Sequence, residues 1–153
     1  MQYTIDGYCY WSNLTKPNKL SRKWDLYLNV SSKALKKFKK EGIIPKLIKD
    51  EKDRAFFAVR FCKQQAYADL TYPSPPVYDK EGKPMDLLDE IPNGLKIKVK
   101  FEQWTGQTEW GHINYMRLLA IKLLEDIPHE FDNVASWEWC DDRQIIFALE
   151  DIK

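Results

Sequence analysis

Apolar and lysine side chains alternate between positions 95 and 101, and this alternation is the clearest structural signal in the chain. Successive side chains of a β-strand point to opposite faces, so the pattern predicts a strand with one buried face and one basic face. Turn-forming residues at positions 92–94 come directly before it. Leu95, Ile97, Val99 and Phe101 fall on the apolar face, and Lys96, Lys98, Lys100 and Trp104 fall on the other.

Weaker alternating patterns elsewhere predict a mainly β protein. Gly7 lies inside the first predicted strand, where glycine often marks a bend or bulge. The pattern of the second strand places Trp24 in the core. Phe56 in the third strand indicates packing against a helix as well as the barrel. The four further strands are predicted at residues 3–11, 23–30, 54–63 and 112–125.

The segment after the second strand predicts a short helix over residues 33–41. Ser31 and Ser32 are candidate N-caps, because a serine hydroxyl can accept a hydrogen bond from the first helical turn. Gly42 is a suitable terminator. We interpret the surrounding lysines as a solvated helix face that adds to a basic field.

The length of 153 residues suits a single folded domain with a sizeable core. The net charge is only +1, but it is unevenly distributed. Residues 1–122 contain 22 basic and 14 acidic side chains, and residues 123–153 contain 2 and 9. We therefore predict a basic domain over residues 1–127 and an acidic, aromatic C-terminal segment over residues 128–153.

Two loops carry candidate contacts for a polyanion. Residues 12–22 predict a long loop with Lys16, Lys19 and Arg22, which is either a phosphate contact or a solvated connector. Residues 105–111 predict a hairpin loop that presents Trp110, with Trp104 at its other end. Exposed aromatic side chains near lysines are typical of proteins that bind single-stranded nucleic acid.

The middle of the chain resembles a known family. Val-Tyr-Asp-Lys-Glu-Gly-Lys-Pro-Met at 77–85 and Ile-Pro-Asn-Gly-Leu-Lys-Ile-Lys-Val-Lys-Phe at 91–101, followed by a tryptophan, are similar to the central signature of phage single-stranded DNA-binding proteins. The chain departs from that signature at Pro92, Asn93 and Leu95. The resemblance covers about residues 8–125 and implies an OB-fold, a five-stranded Greek-key barrel with a helix after the second strand and an added C-terminal segment.

The resemblance also implies a function and a site. The function is sequence-independent binding of single-stranded DNA in phage replication and recombination, in the cytoplasm of the infected host cell. A phage DNA polymerase and a helicase-primase are further candidate partners, and a homodimer is left open. The implied site combines phosphate contacts by Lys16, Lys19, Arg22, Lys63, Lys96, Lys98 and Lys100 with base stacking by Trp104, Trp110 and Tyr115.

Several other classes of function lack support in the sequence. There is no Gly-rich phosphate loop, no His-Glu metal motif and no Gly-flanked nucleophilic serine, so we do not expect an enzyme or a cofactor. The acidic residues at 79–90 are expected to be solvated rather than metal ligands. Cys9, Cys62 and Cys140 are expected to be packed, reduced thiols, and no apolar run is long enough to cross a membrane.

Two alternative functions remain open from the sequence. In the first, the domain is a protein-interaction module that docks on replication proteins through its acidic C-terminus. This alternative is favoured if the chain's own C-terminus or another subunit covers Trp104 and Lys100. In the second, the domain binds RNA, because contacts to the 2′-hydroxyl cannot be recognised in the sequence.

Overall fold

The computed structural model describes residues 2–67, 70–108 and 111–127, which form ten strands and one helix. The residues from 128 onwards, which include Cys140, lie outside the described part. No helix within the described part is long and apolar enough to span a membrane. The elements are β1 (Gln2–Asn13), β2 (Lys23–Asn29), α1 (Ser32–Lys40), β3 (Lys46–Lys49), β4 (Ala55–Gln64), β5 (Ala66–Tyr67), β6 (Leu70–Thr71), β7 (Val77–Tyr78), β8 (Pro84–Met85), β9 (Lys96–Thr108) and β10 (Gly111–Leu123).

Five of these strands close into a barrel. β1 pairs with β2 on one side and with β9 on the other, β2 pairs with β4, and β9 pairs with β10, all antiparallel. The ring is completed by a parallel pairing of β10 with β4, in which Met116 lies opposite Phe61 and Arg117 opposite Cys62. This is the predicted OB-fold barrel, with its helix between the second and third barrel strands.

The helix α1 starts and ends within one residue of the predicted bounds. The Ser31 hydroxyl accepts a hydrogen bond from the backbone N–H of Ala34 at 3.1 Å, and Gly42 follows the last turn with a φ of 89°. Phe38 packs against Phe61 and Phe101, with ring centroids 6.3 and 6.1 Å away. The helix therefore contributes an aromatic side chain to the barrel core.

The alternation in β9 is confirmed. Its apolar face is buried, and Ile97, Val99 and Phe101 have no solvent exposure. The preceding turn is also present. The N–H of Leu95 donates to the carbonyl of Pro92, and Gly94 adopts a φ of 92°. Cys9 and Cys62 are buried free thiols, as expected, and burial raises the pKa of both.

Three local predictions are wrong. Trp24 is not in the core, because it is only partly buried and its Nε1 donates to the carbonyl of Tyr72. Phe56 packs with Tyr10 and Ile48 in a second cluster outside the barrel, not against the helix. Most of the predicted loop at 105–111 is strand, since β9 continues to Thr108 and β10 starts at Gly111.

The irregularity in β1 lies at Trp11 rather than at Gly7. The pairing of β1 with β2 shifts register between Tyr10 and Asn13, and Trp11 has a φ of 52°. Gly7 serves a different purpose, because a Cβ atom there would lie 2.6 Å from the Cγ of Leu28. Only a glycine lets β1 and β2 approach this closely.

We predict that Gly7→Ala lowers the free energy of unfolding by about 1 to 3 kcal/mol, because the new methyl group overlaps β2. Urea denaturation of the purified variant measures this loss. Gly82→Ala is the matched control. Nothing lies within 4 Å of a Cβ at that turn position, whose φ is 86°, so only the backbone penalty of about 1 kcal/mol is expected. A smaller loss for Gly7→Ala than for Gly82→Ala would contradict the close-approach argument.

Candidate nucleic-acid interface

The predicted lysine row lies on the outer face of β9, but an acidic residue interrupts its charge. Asp6 of β1 lies opposite Lys98, and the Lys98 Nζ is 3.5 Å from its Oδ1. Lys96 lies partly buried beside the same carboxylate, whereas Lys100 is exposed. Of the three lysines, Lys98 thus already has an anionic partner within the protein.

Asp6 is 4% exposed, and its burial has an energetic consequence. Loss of hydration raises the pKa of the Asp6 carboxyl, and the charge and hydrogen bond of Lys98 oppose this rise only in part. Because the pKa of Asp6 is higher in the folded than in the unfolded protein, the contribution of Asp6 to the stability of the fold is favourable at acidic pH. It is lost as the pH rises through the folded pKa. Ionised Asp6 is therefore destabilising at neutral pH.

A second acidic side chain on this face was missed in the sequence pattern. Glu102 lies between Lys100 and Trp104 along β9, and it pairs across the ladder with Arg117, whose Nη1 is 3.1 Å from Oε1. Both side chains are accessible to solvent, so the pair contributes little stability. It separates the lysine row from the aromatic residues that follow.

The structure brings two of the predicted stacking residues together. Trp104 and Tyr115 are cross-strand neighbours on β9 and β10, with ring centroids 4.8 Å apart and planes inclined by 44°. Trp104 is 38% exposed. The Nζ of Lys23, from β2, lies 5.5 Å from the Tyr115 ring centroid. We call Trp104, Tyr115 and Lys23 the Trp104 platform.

The platform joins an aromatic surface to a positive charge. Lys23 was not predicted as a site residue, because its strand is far from β10 in sequence. The closure of the barrel between β4 and β10 brings the two together. An open depression of about 380 Å³ lies next to Tyr115, lined in part by Arg60, Cys62 and Asn114.

The predicted basic loop is held by two carboxylates from other parts of the chain. Glu90 accepts hydrogen bonds from the backbone N–H groups of Leu14 and Thr15, at 2.6 and 2.8 Å. Lys16, Lys19 and Arg22 remain exposed, and Arg22 has a φ of 58° at the end of the loop. Glu90 thus has a structural role, and the expectation that it is merely solvated is wrong.

Asp25 is the second anchor of this loop. It is fully buried on β2, and the Arg60 guanidinium binds its Oδ2 at 2.7 and 3.0 Å. The side-chain amides of Asn13 and Asn18 donate to the same carboxylate at 2.7 and 3.1 Å. The charge of Asp25 is therefore buried and satisfied by Arg60 of β4 and by two asparagines of the loop.

One predicted contact, Lys63, does not join these surfaces. Lys63 lies on the opposite side of β4 from Arg60 and Cys62, and partial burial lowers its pKa. It is therefore poorly placed to bind a phosphate beside the Trp104 platform. Trp110 lies outside the described residues.

The comparisons with known proteins agree with the fold. No protein-family profile and no curated protein sequence matches the chain. Among solved structures, the single-stranded DNA-binding protein from bacteriophage Enc34 matches with a TM-score of 0.60 at 14% identity, over 83% of this chain and 82% of that one.

Two further structures match in the same way. The Enc34 protein in complex with single-stranded DNA gives a TM-score of 0.59 at 15% identity, over 84% of this chain and 89% of that one. The single-stranded DNA-binding protein gp2.5 of bacteriophage T7 gives 0.56 at 15% identity, over 85% and 94%. The chain thus has the fold of phage single-stranded DNA-binding proteins, as the sequence resemblance predicted.

We predict that Asp6→Asn raises the urea midpoint at neutral pH, because it removes a carboxylate whose ionised form is destabilised by burial. The gain should shrink as the pH falls and wild-type Asp6 becomes protonated. Denaturation curves at neutral and acidic pH measure this difference.

Asp50→Asn is a control of opposite sign. Burial tends to raise the pKa of Asp50, but hydrogen bonds from the backbone of Arg54 and Lys52 and from the Arg54 side chain outweigh it, and the net pKa is lowered. Ionised Asp50 therefore stabilises the fold, and this stability is lost as the pH falls. Loss of stability in both variants at neutral pH would contradict our assignment for Asp6.

Proposed function

We propose that this protein binds single-stranded DNA without strong sequence preference and has no catalytic activity. The exposed Trp104 platform, with aromatic rings and a lysine held together on an open barrel, is the observation that carries the proposal. The structural neighbours support it, since they are named as single-stranded DNA-binding proteins and one of them is in complex with single-stranded DNA. OB-fold barrels bind oligonucleotides on the same kind of surface.

Stacking on bases supplies the first part of the affinity. Each base stacked on an aromatic side chain contributes about 1 to 3 kcal/mol, and this gain tolerates any sequence because every base has a π face. Trp104 and Tyr115 are inclined to one another rather than parallel, so a base would stack on the exposed indole beside Tyr115. Lys23 is close enough to neutralise the adjoining phosphate.

Charge supplies the second part. Lys100, Lys98 and the loop residues Lys16, Lys19 and Arg22 are accessible on or beside the barrel, and each phosphate that they neutralise releases counterions. Binding should therefore weaken as salt rises. Because Asp6 and Glu102 lie among these cations, the salt dependence should be shallower than a count of lysines suggests.

The biological setting follows from the same proposal. We assign the protein to phage DNA replication and recombination, in the cytoplasm of the infected host cell. Residues 1–127 are the binding domain in this scheme, and the acidic segment at 128–153 is a candidate docking site for a phage DNA polymerase or helicase-primase. A homodimer is compatible with it and is tested by sedimentation of the full chain.

We predict that Trp104→Ala weakens binding of oligo(dT) by about tenfold or more, because one stacking surface is lost. Lys98→Ala should weaken binding less and reduce the salt slope. Anisotropy of dye-labelled oligo(dT), oligo(rU) and duplex DNA over a range of salt concentrations measures both effects. Lys36→Ala, on α1, is the matched charge control and should change binding little.

Three results would contradict the proposal. Tighter binding of duplex DNA than of oligo(dT) by the wild-type chain would exclude a stacking mechanism. Stronger binding of oligo(rU) would favour the RNA-binding alternative. Absence of binding to all three ligands would favour the protein-interaction alternative.

We also predict that Asp6→Asn strengthens binding of oligo(dT), because it frees Lys98 for a phosphate and removes a repelling charge. The logarithmic salt slope should steepen by about one, as one further phosphate is neutralised. The double variant Asp6→Asn with Lys98→Ala separates the two causes. If the steeper slope persists in the double variant, Lys98 is not the cation that Asp6 restrains.

A further inference from the structure

Trp11 is held in an unusual position on the outer surface of the barrel. It is 40% exposed, and its φ of 52° lies in the left-handed region that side chains other than glycine rarely occupy. Its backbone N–H donates to the Oδ1 of Asn93 at 2.8 Å. Asn93 is one of the positions at which this sequence departs from the signature described above.

The hydrophobic core does not explain this tryptophan. Trp11 belongs to neither of the apolar clusters formed by the described residues. A glycine would fit its backbone conformation without strain, so the fold bears a steric penalty to keep a large ring at this position. Such an outlier at an exposed aromatic residue indicates a role in binding.

The neighbours of Trp11 form a second surface like the Trp104 platform. The Tyr27 ring meets the Trp11 ring edge to face, with centroids 5.8 Å apart and planes at 82°. The Nζ of Lys46 lies 5.6 Å from the centroids of both rings. We call Trp11, Tyr27 and Lys46 the Trp11 platform.

Strand β2 connects the two platforms along one outer face. Lys23 and Tyr27 lie four residues apart on it, a span of about 13 Å, which is on the order of two extended nucleotides. Between them lies Asp25, which is buried and paired with Arg60, so no unpaired negative side chain of β2 blocks the path. The platforms are therefore suitably placed for one continuous strand.

We propose that the Trp11 platform is a second base-stacking site, which binds a nucleobase of the same single-stranded DNA that contacts the Trp104 platform. Lys46 neutralises a neighbouring phosphate. This inference rests on the proposed function, and it extends the binding path from β9 and β10 across β4 and β2 to β1 and β3.

The test compares Trp11→Gly and Trp11→Ala with Trp104→Ala in the full chain. The probe is dye-labelled oligo(dT) of about 15 nucleotides, near the upper site size of one OB-fold. Each Trp11 variant should lose about tenfold in affinity, and the variant that combines Trp11→Gly with Trp104→Ala should lose the product of the two factors.

The two Trp11 variants separate binding from stability. Glycine relieves the strain at a φ of 52°, so Trp11→Gly should melt at a higher temperature than Trp11→Ala while binding DNA equally weakly. Phe57→Ala is the matched control. Phe57 is also exposed, at 44%, and also has a lysine near its ring, with the Lys39 Nζ at 5.1 Å, but it lies on the opposite side of β4 from Arg60.

The outcomes distinguish the inference from the function on which it rests. If the Trp11 variants bind as tightly as Phe57→Ala while Trp104→Ala binds more weakly, the inference of a second stacking site is wrong and the proposed function stands. If the wild-type chain does not bind oligo(dT), both are wrong. If Trp11→Gly binds weakly but melts no lower than the wild type, the result supports the second stacking site.

Discussion

The parallel pairing of β10 with β4 is the constraint on which the candidate interface depends. It joins the last barrel strand to the third through Met116 and Phe61, and the aromatic packing of Phe61 with Phe101 and Phe38 stabilises it from within. Once the ring is closed, Tyr115 of β10 faces Lys23 of β2 across the edge of β4. An open sheet with the same strands would leave the tyrosine and the lysine apart.

Acidic residues shape the basic surface in two different ways. Asp25 and Glu90 bind backbone and side-chain donors of the loop between β1 and β2, and so hold its exposed lysines in place. Asp6 and Glu102 instead pair with cations of the outer face and reduce the positive electrostatic potential of that face. The surface is therefore only moderately basic, and the binding mode that we propose relies largely on aromatic stacking.

The two aromatic platforms share one design. In each, an exposed tryptophan meets a tyrosine from the neighbouring strand, and a lysine from a third strand lies within 6 Å of a ring. Lysine at this distance is attracted by the ring face and still exposes donors to a phosphate. The outer face of β2 links the two platforms, so in the proposed binding mode a single strand of DNA stays on the barrel surface between them.

The sequence by itself determined the barrel strands, the capped helix, the turn at Gly94 and the buried face of β9, because each depends on side chains that are close in the chain. It also singled out Trp104 and Tyr115, which the structure places side by side. Only the tertiary structure decided that Asp6 restrains Lys98, that Asp25 is buried by Arg60, and that Lys23 and Lys46 approach aromatic rings. Those contacts join residues brought together by strand pairing and barrel closure, and a local pattern of polar and apolar positions carries no information about them.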